Sequence, residues 1–100
     1  MRIVLDVENT TTKRNGKTHM DPFEPNNFLV QVGTKNVDID TDKHLLTFDH
    51  VEYRDHTGAN ATLLQGILDK TTLLIMHNAQ HDLMWLWASG FKYDGEIYDT

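Results

Sequence analysis

Apolar positions along the chain fall into short runs separated by polar, turn-rich stretches. Ile3 to Val7 is apolar or β-branched apart from Asp6, which predicts a short central strand buried on both faces. From Asn9 to Asn27 come Thr10-Thr11-Thr12, Lys13-Arg14-Asn15-Gly16-Lys17 and Asp21-Pro22-Phe23-Glu24-Pro25, dense in turn formers and poor in periodic apolar positions. That composition predicts a long loop, and irregular loops of such length tend to be functional or mobile. Phe28 to Gly33 predicts a second strand and His44 to Phe48 a third, joined through the acidic turn that holds Asp38, Asp40 and Asp42. Leu63, Leu64, Ile67 and Leu68 recur at helical spacing behind a candidate cap, Asn60, and that helix ends near Asp69 and Lys70. Leu73 to Met76 is continuously apolar, as in a buried strand lying parallel to the first. A second helix starts just after Asn78, with Leu83, Leu86 and Trp87 on one stripe, Met84 and Trp85 off it, and Gly90 as the stop. Glu96 to Thr100 begins a further strand. The order strand, strand, strand, helix, strand, helix, strand indicates an α/β protein with a mixed sheet.

The chain has 100 residues and no cysteine, and its nine Lys plus Arg against fifteen Asp plus Glu leave a formal charge of −6. One domain is the most this length supports, and disulfides are excluded. No apolar run approaches the ~18 to 20 residues of a membrane helix, so a soluble, membrane-free, cytoplasmic protein is the expectation. The acidic balance argues against a domain that grips nucleic acid by its own charge, because phosphates need Lys and Arg. It leaves one exception, a polyanion met through divalent cations held in carboxylates.

Asp6 and Glu8 are two residues apart on the first strand and project from one face near its C-terminal end, a hard-oxygen pair suited to Mg²⁺ or Mn²⁺. The alternative is a solvated strand end. Asp6 favours the ligand reading, because a carboxylate inside an apolar strand is costly unless it is protonated or coordinates something. Asn78 and Asp82 follow the fourth predicted strand directly, and with Asn78 as the cap Asp82 lies one turn into the helix on the same side. Ligands bind in open α/β sheets where parallel strands end, and there both acidic groups converge.

Val4-Leu5-Asp6-Val7-Glu8-Asn9-Thr10 resembles the first motif of the DEDD (DnaQ-like) 3′-to-5′ exonucleases, and His77-Asn78-Ala79-Gln80-His81-Asp82-Leu83 resembles their second. Asp99-Thr100 resembles the pair that commonly follows the second motif. The His-Asn-Ala-x-x-Asp form, with the Asp-Pro-x-x-Pro-x-Asn loop after the first motif, is most similar to the N-terminal proofreading domains of phage-type family A DNA polymerases. The resemblance implies a ribonuclease H-like mixed sheet with flanking helices, and two divalent cations, Mg²⁺ or Mn²⁺. Asp6 would bridge both ions, Glu8 would hold the one that activates water, and Asp82 would support the second. It also implies removal of nucleoside 5′-monophosphates from a single-stranded or frayed DNA 3′ end, with the rest of the polymerase chain as partner. Asn78, Thr10, Phe23, Lys13 and Arg14 are then the substrate-side candidates, Asn78 by orienting the junction or the terminal nucleotide.

The family's third motif, a carboxylate preceded by Tyr or His, has no counterpart after Asp99-Thr100. The expectation is a C-terminally incomplete domain, the N-terminal portion of a longer protein, with little hydrolysis of its own and some apolar surface uncovered. Two other functions remain open: a stand-alone exonuclease acting on RNA or short oligonucleotides, and a non-catalytic nucleic-acid-binding domain of the same fold.

The remaining signals have blander readings beside the chemical ones. Lys13, Arg14 and Lys17 could touch a phosphate backbone or form a solvated mobile loop. His77 and His81 have zinc spacing, yet His77 ends a strand and no Cys is present. Asp38-x-Asp40-x-Asp42 lacks the glycine of a calcium loop and reads as an acidic hairpin turn. Trp85, Leu86 and Trp87 could stack on bases but better suit core packing, whereas no periodicity assigns Phe23 to the core.

Overall fold

The computed structural model describes residues 1–20, 27, 29–48 and 58–100. In chain order the elements are strands β1 (Arg2–Asn9), β2 (Thr12–Arg14), β3 (Lys17–His19), β4 (Leu29–Asn36) and β5 (Lys43–Thr47), helix α1 (Ala59–Lys70), strand β6 (Leu73–Met76), helix α2 (Ala79–Ala88) and strand β7 (Glu96–Asp99). Five strands form one mixed sheet in the order β5-β4-β1-β6-β7. β4 runs antiparallel to both β1 and β5, while β1, β6 and β7 are parallel, so the C-terminal ends of these three lie along one edge. The fold is thus α/β with a mixed sheet and two helices.

α1 and α2 contribute to a single core on one face of the sheet, where Leu64, Leu68, Trp85 and Leu86 meet Leu5, Val32, Leu74 and Met76. Phe48 and Phe91 close one side edge to face, their ring centroids 5.9 Å apart. Among the described residues the other face lies open. β1 alternates strictly, with Ile3, Leu5 and Val7 buried but Val4 43% exposed, so the expectation of a strand buried on both faces is corrected: the described helices cover one face. Val4 shares the open face with Lys35, Gly33, Leu45, Ile75 and Tyr98, as the register requires, and Leu45 is 69% exposed.

Three local readings also change. The Asn9 to Asn27 stretch is not an irregular loop throughout, because β2 and β3 pair as a hairpin around Asn15-Gly16. Both turn residues have positive φ, 52° and 78°, the combination that a two-residue type I′ hairpin demands and that Asn-Gly adopts readily. α1 starts at Ala59 behind Gly58, and Asn60 does not cap it; its side-chain amide donates to the Thr47 carbonyl at 2.7 Å and ties the helix to β5. On α2 the buried face is Ala79, Asp82, Trp85 and Leu86, whereas Trp87 is 75% exposed. The apolar stripe of the sequence is rotated because an inward position in the first turn is filled by a carboxylate rather than a hydrophobic residue.

The acidic hairpin turn is borne out. The acidic stretch at Asp38 to Asp42 turns between antiparallel β4 and β5, where Asp42 accepts from the Asn36 side chain and Arg2 pairs with Asp38. Among the described residues, no helix is long and apolar enough to cross a membrane. Phe23 and Phe28 lie outside the described residues.

Candidate functional site

The edge where β1, β6 and β7 end gathers four carboxylates. Asp6 and Glu8 are exposed on the open face of β1, with buried Val7 between them. Strand pairing with β4 is irregular between Glu8 and Asn9, the point at which the chain leaves the sheet. Asp99 closes β7 opposite Met76. Asp82 comes from α2, which begins three residues after Met76 and packs against β1, β6 and β7.

Asp82 is the anomalous member. It is only 4% exposed, and its buried Oδ2 has no hydrogen-bond partner. A carboxylate so placed loses hydration without compensation. Burial pushes its pKa from 3.8 up to about 7; the negative charges of Asp6, Glu8 and Asp99 push the same way, and only His77 opposes them. The cost of a buried charge, expected at Asp6 from the apolar run around it, therefore falls on Asp82 instead: Asp6 occupies the open face. Asp99 was missed as a site residue in the sequence, although its position at the end of a strand parallel to β1 is the available signal.

Asn78 occupies the N-cap position of α2 in the left-handed conformation, φ 59° and ψ 60°, and its side chain makes no capping bond. Asn is among the few non-glycine residues that adopt this conformation cheaply, so its conformational tolerance is what the junction uses. His77 is exposed and hydrogen-bonded through Nδ1 to Thr100 Oγ1 at 3.2 Å, while the Thr100 amide donates to the Met76 carbonyl at 2.9 Å. These bonds clasp the ends of β6 and β7 beside the acidic group.

The substrate-side candidates divide. Thr10 is half-buried where the chain leaves β1, and Lys13 and Arg14 lie on β2. Both ends of the hairpin are held by α2: His81 Nε2 donates to Asn9 Oδ1 at 3.1 Å, and Trp85 Nε1 donates to the Met20 carbonyl at 3.1 Å. Asn9 Nδ2 in turn donates to the carbonyls of Thr10 at 2.7 Å and Met20 at 3.4 Å. His81 thus has a polar partner at the end of β1, where His-x-x-x-His spacing allows a zinc reading.

The donor set of Asp6, Glu8, Asp82 and Asp99 consists of hard carboxylate oxygens, which suits Mg²⁺ or Mn²⁺ over softer metals. Among the described residues, no three His, Asp or Glu side chains stand close enough to enclose one ion. The fit lies in the chemistry of the group and the unpartnered Asp82 oxygen, rather than in a finished coordination sphere. Searches against protein-family models, curated proteins and solved structures find no match for the chain.

Proposed function

We infer that the chain belongs to a metal-dependent 3′-to-5′ exonuclease acting on DNA 3′ ends, of the kind that proofreads for phage-type family A polymerases. The observation that carries this reading is the buried Asp82 carboxyl, without a partner on Oδ2 and under the field of Asp6, Glu8 and Asp99. Sheet carboxylates make no such demand when they merely face solvent. The ribonuclease H-like assignment draws support from the sheet, in which central β1 is flanked by an antiparallel strand on one side and parallel strands on the other.

On this reading Asp6, Glu8 and Asp82 hold two divalent cations, with Asp99 adding negative charge beside them. The cations, when bound, supply activation of the attacking water and stabilisation of the leaving oxygen in an in-line displacement at phosphorus. The chain's own residues bind and orient. Asp82, fixed within α2, sets one carboxylate rigidly; Asp6 and Glu8 are solvent-facing and adjust to it. Asn78 shapes the strand-helix junction, and Thr10, Lys13 and Arg14 flank the path of the strand. Asp82 gives up the proton it holds below about pH 7 when a cation takes its place.

Mn²⁺ titration of the chain, followed by electron paramagnetic resonance, tests the site. Saturable binding that Mg²⁺ displaces and that weakens at least ~10-fold in Asp6→Asn and Asp82→Asn is expected. Absence of saturable binding in the unsubstituted chain at pH 8 sinks the assignment. In a chain that also carries a third motif, release of a 3′ label from single-stranded DNA is expected to be EDTA-sensitive and abolished by Asp6→Ala or Asp82→Ala, with polymerisation retained.

A further inference from the structure

Positive charge is segregated on the β2–β3 hairpin. Lys13, Arg14 and Lys17 are three of the nine cationic residues of the chain, and residues 9–20 contain no Asp or Glu in a protein of net charge −6. Arg2 and Lys35 are held by Asp38 and Asp40. Lys13 and Lys17 are exposed and have no ion-pair partner among the described residues. The register places Arg14 against Lys17, so the last pair before the turn sets two cationic residues at one position. A two-stranded ribbon is marginal in water by itself.

The hairpin is kept in place by the rest of the molecule. His81 and Trp85, one turn apart on α2, grip Asn9 and Met20 at the two ends of the hairpin, and Asn27 Nδ2 donates to the His19 carbonyl at 3.0 Å. Trp85 is itself in the core. The residue after His81 is Asp82, and the residue before Asn9 is Glu8. One helix and one strand therefore hold both the acidic cluster and the basic finger in a fixed relation.

We propose that the β2–β3 hairpin is a phosphate-gripping finger for a nucleic-acid strand, with Lys13 and Lys17 as the backbone contacts and His81, Asn9 and Trp85 as the residues that position it beside the acidic cluster. A polyanion brought to four carboxylates is repelled, and a neighbouring cationic finger offsets that repulsion while setting the strand's direction. Rigid attachment matters here because a floppy basic loop would neutralise phosphates without orienting them. The choice of a nucleic-acid strand rests on the exonuclease reading; the phosphate grip rests on the hairpin.

The test is a titration of the ¹⁵N-labelled chain with a single-stranded oligothymidylate in EDTA, where no divalent cation contributes, at several salt concentrations. Saturable amide shifts centred on the hairpin are expected, with affinity reduced about tenfold in the Lys13→Ala/Lys17→Ala double variant at low salt. The slope of log affinity against log salt should fall by about 1.4, or ~0.7 for each cation removed from a single-strand contact. His81→Ala, with Lys13 and Lys17 intact, is expected to weaken binding several-fold, and His81→Gln, which keeps a donor toward Asn9, to restore most of it. Equal affinity of the double variant and the unsubstituted chain overturns the proposal. Competition by tripolyphosphate as effective, phosphate for phosphate, as the oligonucleotide overturns the nucleic-acid assignment. Since the Mn²⁺ titration contains no DNA and this one no metal, failure of either reading is visible separately.

Discussion

Among the described residues Asp82 is the carboxyl most strongly perturbed by its surroundings, and the consequences are measurable without any substrate. A carboxyl whose pKa is about 7 in the folded chain and 3.8 in the unfolded one keeps its proton on folding across that interval. The folded state then binds more protons than the unfolded, so its stability is fully present below about pH 4 and is lost as pH rises toward 7. Urea denaturation of the metal-free chain is expected to show stability falling by up to ~1.4 kcal/mol per pH unit in that window, then levelling off. Asp82→Asn should flatten this dependence, and an unchanged slope in that variant would assign the proton elsewhere. Asp99→Asn should shift the Asp82 titration to lower pH, as followed by carboxyl-carbon resonances, because it removes one of the charges opposing ionisation. The residue types at positions 6, 8 and 82 pointed to a cation site before any coordinates. Which of them is buried was not legible, since burial of Asp6 was inferred from apolar neighbours that turn out to face opposite sides of one strand.

At the scale of elements, α2 is where pattern and packing part company. Its two tryptophans are two residues apart and chemically identical, yet Trp85 is 1% exposed and hydrogen-bonded to the Met20 carbonyl, whereas Trp87 faces outward. Trp85→Ala is expected to cost ~3 to 5 kcal/mol in chemical denaturation, and Trp87→Ala to stay within ~0.5 kcal/mol. Acrylamide quenching of the Trp85→Phe variant, which retains only Trp87, should be strong, and that of Trp87→Phe weak. A helical stripe drawn through Leu83, Leu86 and Trp87 fails because it avoids the polar Asp82, and Asp82 is on the inward face. The β2–β3 hairpin shows the opposite case. Asn15-Gly16 is a strong hairpin signal in itself, but the flanking strands of three residues are too short and polar to announce themselves by alternation. They persist because His81 and Trp85 hold their ends.

For the molecule as a whole, one face of the sheet carries both helices and the other carries none among the described residues. Leu45, midway along edge strand β5 on the open face beside Gly33, is expected to tolerate Leu45→Lys with a change in stability within ~0.5 kcal/mol by urea denaturation. A larger loss would mean that this face is covered in solution. The mixed α/β architecture, the order of the five sheet strands and two helices, and the positions of the acidic motifs were all determined by the sequence alone, because hydrophobic periodicity and turn chemistry are local properties. The tertiary structure decided which strand face is covered, which α2 residues turn inward, and that the loop after β1 is a hairpin bolted to that helix. These depend on contacts between residues as far apart as Asn9 and His81, and no local pattern contains the free energy of meeting a distant partner.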